Sequence, residues 1–124
     1  MPKADKLIAG FITSSFQSVW SLELLLHLKK ASDRCFAQQE LVTALRASDE
    51  VVSTSIQSLL AAGLIVEDEQ RCVTFAPATE ELAGHVEAVE RLYQVKPDAV
   101  RRVIVHGADK GPSDFADAFK LRRD

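Results

Sequence analysis

The chain reads as mainly helical, with a small antiparallel β-hairpin set into the helices. Three observations carry that reading. Apolar residues recur at steps of three and four over several segments, the spacing that lines one face of a helix. One segment, LIVEDEQRCVTF at residues 64 to 75, has instead two strand-like runs around a polar tip. The length of 124 residues, with 47% hydrophobic and 27% charged residues, suits one packed domain with terminal extensions rather than two domains or a disordered chain.

Over residues 7 to 30 the helical spacing is kept by Ile8, Phe11, Ile12, Phe16, Val19 and Trp20, and LELLLHL is then apolar nearly all round, as in a central helix. Lys29 and Lys30 suit the negative end of its dipole. RCFA, residues 34 to 37, is a short candidate first strand. QQELVTAL is expected to form a short helix pointing Leu41, Ala44 and Leu45 inward, followed by a turn at Arg46 and Ala47. Ser48 offers a hydroxyl cap to the next helix, with Asp49 and Glu50 in its first turn.

In that next helix Val52, Ile56, Leu59 and Leu60 share one face, and Glu50, Ser53, Thr54, Gln57, Ser58 and Ala61 the other. Gly63 supplies a left-handed ending, and Leu64 folds back against it. Two strands joined by EDEQ follow, and Pro77 closes them. Thr79 caps a helix carrying the stripe Leu82, Val86, Val89 and Tyr93; Pro97 opens another with Val100, Val103 and Ile104. HGADKGP at residues 106 to 112 reads as a linker, after which Ser113 caps a short segment showing Phe115 and Phe119 one turn apart. The expected division is therefore a domain over residues 1 to 105 and a linker with an amphipathic tail over residues 106 to 124.

The order helix, short strand, helix, turn, helix and hairpin over residues 17 to 77 resembles the winged helix-turn-helix domain. The phrase ELVTALRASDEVVSTSIQSLLAAGLIVEDEQRCVTFAP is similar to its MarR-type versions in bacterial transcriptional regulators. The resemblance implies that residues 49 to 62 form the helix presented to the DNA major groove, with residues 67 to 71 as the wing tip beside the phosphates or minor groove. Ser53, Thr54, Gln57 and Ser58 are then the candidate reading residues, and Arg46, Arg71, Lys29, Lys30 and Arg34 the candidate phosphate contacts. Cys35 and Cys72 fall on strands that pair in many such domains, which would bring them near enough to respond to oxidation.

Charge departs from this pattern. The net charge of -3 gives no general attraction to a polyanion. Residues 48 to 77 hold one cation, Arg71, against Asp49, Glu50, Glu67, Asp68 and Glu69, a local balance of -4. Residues 1 to 47 and 96 to 124 each carry +2 (six cations with four acids, and seven with five), so the cations lie outside the expected contact elements. A second function thus stays open, a protein-docking module whose Glu67, Asp68 and Glu69 meet a basic partner, with Phe115 and Phe119 as anchors of a docking tail. The stripe from Leu82 to Tyr93, with the N-terminal stretch, offers a homodimer surface through the terminal helices, or else simply caps the same core.

Other classes find little support. No glycine-rich phosphate loop, metal-ligand pair or nucleophile with a base is present, so an enzyme, a cofactor and a metal are not expected. Cys35 and Cys72 have the spacing of neither a zinc set nor a disulfide framework, and reduced thiols in a cytoplasmic protein are the expectation. His27 reads as a packed helix residue, and His85 and His106 as solvent-facing. The apolar run of residues 7 to 28 carries Glu23, His27 and four serines, which fits a buried helix and not a membrane span or a secretory signal.

Overall fold

The apolar run of residues 7 to 30 folds as two helices, α1 (Pro2–Ser15) and α2 (Val19–Lys30). Ser18 makes the break. Its backbone is extended, its hydroxyl accepts the Ser21 N–H, and its own N–H donates to the Ser21 hydroxyl, a reciprocal cap that starts α2 afresh. Apolar periodicity does not register the break because Phe16, just before it, is as buried as the residues on either side. The structure is a computed structural model and describes residues 2 to 110, with side chains over residues 7 to 105.

Helix α2 buries Leu22, Leu24, Leu25, Leu26 and Leu28, which is why LELLLHL is apolar nearly all round. Two helices, α3 (Gln38–Leu45) and α4 (Asp49–Ala61), pack against it and against each other. Arg46 turns the chain between them in the left-handed region at φ 54°, and the Ser48 hydroxyl accepts the Val51 N–H to cap α4. The Gln38 amide reaches across to Asp49, at 3.3 Å from its carbonyl and 3.4 Å from its carboxylate, bracing the start of α4 against α3. Ala44, expected inward, is exposed; Val42, on the other flank of Leu41 and Leu45, joins the core instead. A short helix has only one inner strip, and the larger side chain takes it.

Gly63, at φ 75°, ends α4 as expected. Its N–H donates to the Leu60 carbonyl at 3.1 Å, and the Leu64 N–H to that of Leu59 at 3.1 Å, so a Schellman motif turns the chain into the hairpin and buries Leu64. The hairpin is β1 (Ile65–Glu67) and β2 (Val73–Phe75), antiparallel, with Ile65 opposite Phe75 and Glu67 opposite Val73. The strand expected at residues 34 to 37 shrinks to one bridge, in which Phe36 and Val73 exchange backbone hydrogen bonds of 2.7 and 2.8 Å.

Two further helices, α5 (Glu80–Val95) and α6 (Pro97–Lys110), lie against α1 and each other. The Thr79 hydroxyl caps α5 through the Leu82 N–H at 3.1 Å. Val86, Val89, Val100, Val103 and Ile104 are buried in one core with Ala9, Phe11 and Ile12 of α1. The Leu82 to Tyr93 stripe is therefore covered by the chain's own helices. The linker expected from residue 106 is still helix as far as Lys110, since one internal glycine, Gly107, costs a helix only about 1 kcal/mol. The tail, with Ser113, Phe115 and Phe119, lies outside the described residues.

His27 is packed, edge-on to Phe36 with ring centres 5.4 Å apart. His85, expected to face solvent, is half-buried against Phe11 at 5.1 Å, with its Nδ1 enclosed and without a hydrogen-bond partner. Its place on α5 beside the Val86 and Val89 line brings it onto α1. The His106 side chain is outside those described. Among the described residues no helix is long and apolar enough to cross a membrane.

Candidate functional site

The outward strip of α4 follows from its inner one. Val52, Ser55, Ile56 and Leu59 are buried, which leaves Glu50, Thr54, Gln57 and Ala61 exposed, with Ser53 half-exposed beside them. No hydrogen bond within the described residues engages the side chains of Ser53, Thr54 or Gln57. A hydroxyl pair and an amide are thus free to meet an outside molecule, on a helix fixed at its start by Ser48 and Gln38 and at its end by the Schellman turn.

Ser58 does not belong to this strip. Its hydroxyl donates to the Ser15 carbonyl at 3.2 Å, tying α4 to the end of α1. At 100° per residue it lies on the flank that faces α1.

The expected cations divide in two. Lys29 is half-buried and paired with Glu90 of α5 at 2.9 Å, and Arg34 is held by the Glu40 carboxylate at 2.6 Å with its guanidinium 3.9 Å above the Phe36 ring. Each thus already has a carboxylate partner, remote in the chain for Lys29 and six residues on for Arg34. Glu40 also accepts the Ala37 N–H, and this bond, with Arg34 second, holds its carboxyl below the usual value. Lys30, Arg46 and Arg71 are exposed, and no ion pair among the described residues engages them.

At the hairpin tip Glu67, Asp68, Glu69 and Arg71 are all exposed. Asp68 has a structural use. Its Oδ1 accepts the N–H groups of Gln70 and Cys72, each at 2.9 Å, while its carbonyl accepts the Arg71 N–H at 3.0 Å. Arg71 follows in the left-handed region at φ 64°, the position a three-residue hairpin loop usually gives to glycine. Of the five carboxylates on this side, Asp49 and Glu50 suit the start of α4 and Asp68 shapes the tip, whereas Glu67 and Glu69 have no partner among the described residues.

The structure also brings together the two cysteines, as the resemblance implied. Cys35 and Cys72 form a disulfide, Cα to Cα 5.4 Å, which corrects the expectation of reduced thiols. The Phe36–Val73 bridge brings the two stretches of chain together, each cysteine directly precedes a bridged residue, and their Cα atoms fall within disulfide range. Asp68 lies beside the pair, its carboxylate and both sulfurs within 4.8 Å of one another.

Comparison with known proteins finds no matching family, no matching curated protein and no matching solved structure.

Proposed function

We propose that the chain is a winged helix-turn-helix DNA-binding protein, a small transcriptional regulator in which α4 enters the major groove and the β1–β2 hairpin is the wing. The supporting observation is the free polar strip of Ser53, Thr54 and Gln57 on a helix braced at both ends. Gln57 has the amide geometry that pairs with an adenine edge, and the hydroxyls serve bases or phosphates. Lys30, Arg46 and Arg71 remain as phosphate contacts. Pairing of two copies through the terminal helices belongs to this reading and rests on exposed Leu7, Val95 and Val105 rather than on the covered stripe.

Three phosphate contacts give a salt slope of about -2.7 per copy, or a loss of roughly 40-fold between about 50 and 200 mM salt. Selection from a pool of random duplexes at these two concentrations tests the reading. A recoverable site with that slope supports it, and no retention at the lower concentration removes it. Gln57→Ala should weaken the selected site more than random DNA.

The exposed carboxylates favour a second reading, a docking module for a basic protein. Glu67→Gln with Glu69→Gln separates the two. For a DNA-binding wing, removing these charges strengthens duplex affinity; for a docking face it weakens capture of the basic partner and leaves duplex DNA unbound.

A further inference from the structure

We propose that Cys35, Cys72 and Asp68, once the disulfide is reduced, form a binding site for a thiophilic divalent cation of the zinc type. The site is independent of whether α4 reads DNA.

The three donor atoms come from two separated stretches of chain and already lie within 4.8 Å of one another. What gathers them does not depend on the sulfur–sulfur bond alone. The two hydrogen bonds between Phe36 and Val73, at 2.7 and 2.8 Å, tie together the residues that directly follow the two cysteines. Phe36 and Val73 are themselves buried. Breaking the disulfide therefore leaves two thiols on backbones that stay close together. Zinc–sulfur bonds of about 2.3 Å at a tetrahedral angle need the sulfurs about 3.8 Å apart, a separation that side-chain rotation gives at the present Cα spacing.

The carboxylate is oriented in advance. Asp68 Oδ1 is fixed by the N–H groups of Gln70 and Cys72, the outer-shell bonding that aims a ligating carboxylate, and Oδ2 carries no bond within the described residues. Glu67 and Glu69 flank it, exposed and without partners among the described residues, so the local field favours a cation. The cysteines are half-buried and the aspartate is exposed, which leaves an approach for the ion and room for a water as fourth ligand. The acidic tip that opposes phosphate thus has a use of its own.

The chemistry balances through a dithiol reductant. Two electrons and two protons pass from the dithiol to the Cys35–Cys72 bond, which opens to two thiols as the reductant closes to its own disulfide. The cation then displaces the two thiol protons and is held by two thiolates and the Asp68 carboxylate. Disulfide and cation exclude one another, because both use the same two sulfurs.

The test is an anaerobic titration of the reduced full chain with cobalt(II), freed of reductant, followed by zinc. The expected result is a thiolate-to-cobalt charge-transfer band that saturates at one ion per chain and is discharged by zinc. Oxidised chain, Cys35→Ser and Cys72→Ser should show none. Asp68→Asn keeps the Oδ1 acceptor that shapes the tip and should weaken binding by tenfold or more. No band from reduced chain whose circular dichroism shows it folded would overturn the proposal. Binding that survives Cys35→Ser, or that Asp68→Asn leaves unchanged, would also overturn it. A reduced chain that unfolds and is not refolded by zinc would do the same.

Discussion

Replacing both cysteines by serine removes a cross-link between residues 37 apart in sequence. In the chain-entropy account, closing a loop of that length lowers the entropy of the unfolded chain by about 13 cal/mol/K, worth about 4 kcal/mol at 25 °C. That is a large share of the roughly 5 to 15 kcal/mol that holds a domain folded. The Phe36–Val73 bridge and the buried Val73 remain, so the loss is expected in stability and not in architecture. The assay is urea unfolding of oxidised wild type against Cys35→Ser/Cys72→Ser, with chelator present so that no bound cation contributes. With an m-value of about 2 kcal/mol/M, the midpoint should fall by about 2 M. Alkylation without reductant should label neither cysteine of the purified wild-type chain. A double variant within about 1 kcal/mol of wild type would refute the loop argument, since the entropic contribution at this loop length is several times larger.

Leu28→Ala, at a fully buried position of α2, is expected to cost about 2 to 5 kcal/mol in urea unfolding, because the central helix cannot collapse onto the space left. Ser48→Ala removes the cap of α4 and should cost about 1 kcal/mol, read in the same assay. Arg71→Gly relieves a left-handed residue at the hairpin tip and should leave the chain as stable or up to about 1 kcal/mol more stable, while removing one proposed phosphate contact. Burial, with Glu23 next, raises the Tyr93 phenol above its ordinary 10.0, so the folded chain keeps a proton that the unfolded chain releases. That contribution is complete below about pH 10 and declines as pH rises toward the folded pKa. The alkaline fall in urea midpoint should be shallower in Tyr93→Phe, and parallel curves would refute the assignment.

The features legible along the chain are those whose causes lie within a few residues. Ser48 and Thr79 cap α4 and α5, Pro97 opens α6, and Gly63 closes α4, because each acts on backbone groups at most five positions away. The α4 faces were legible for the same reason, as 3.6-residue periodicity separates Ile56 and Leu59 from Thr54 and Gln57. Tertiary structure alone decided whether a side chain remains free. Lys29 finds Glu90 and Ser58 finds Ser15, partners remote in the chain, while the helix carrying the Leu82 to Tyr93 stripe meets α1. Cys35 and Cys72 show the division most clearly. Their spacing carries no pairing signal, and only the folded chain brings their sulfurs, and the Asp68 carboxylate, to one place.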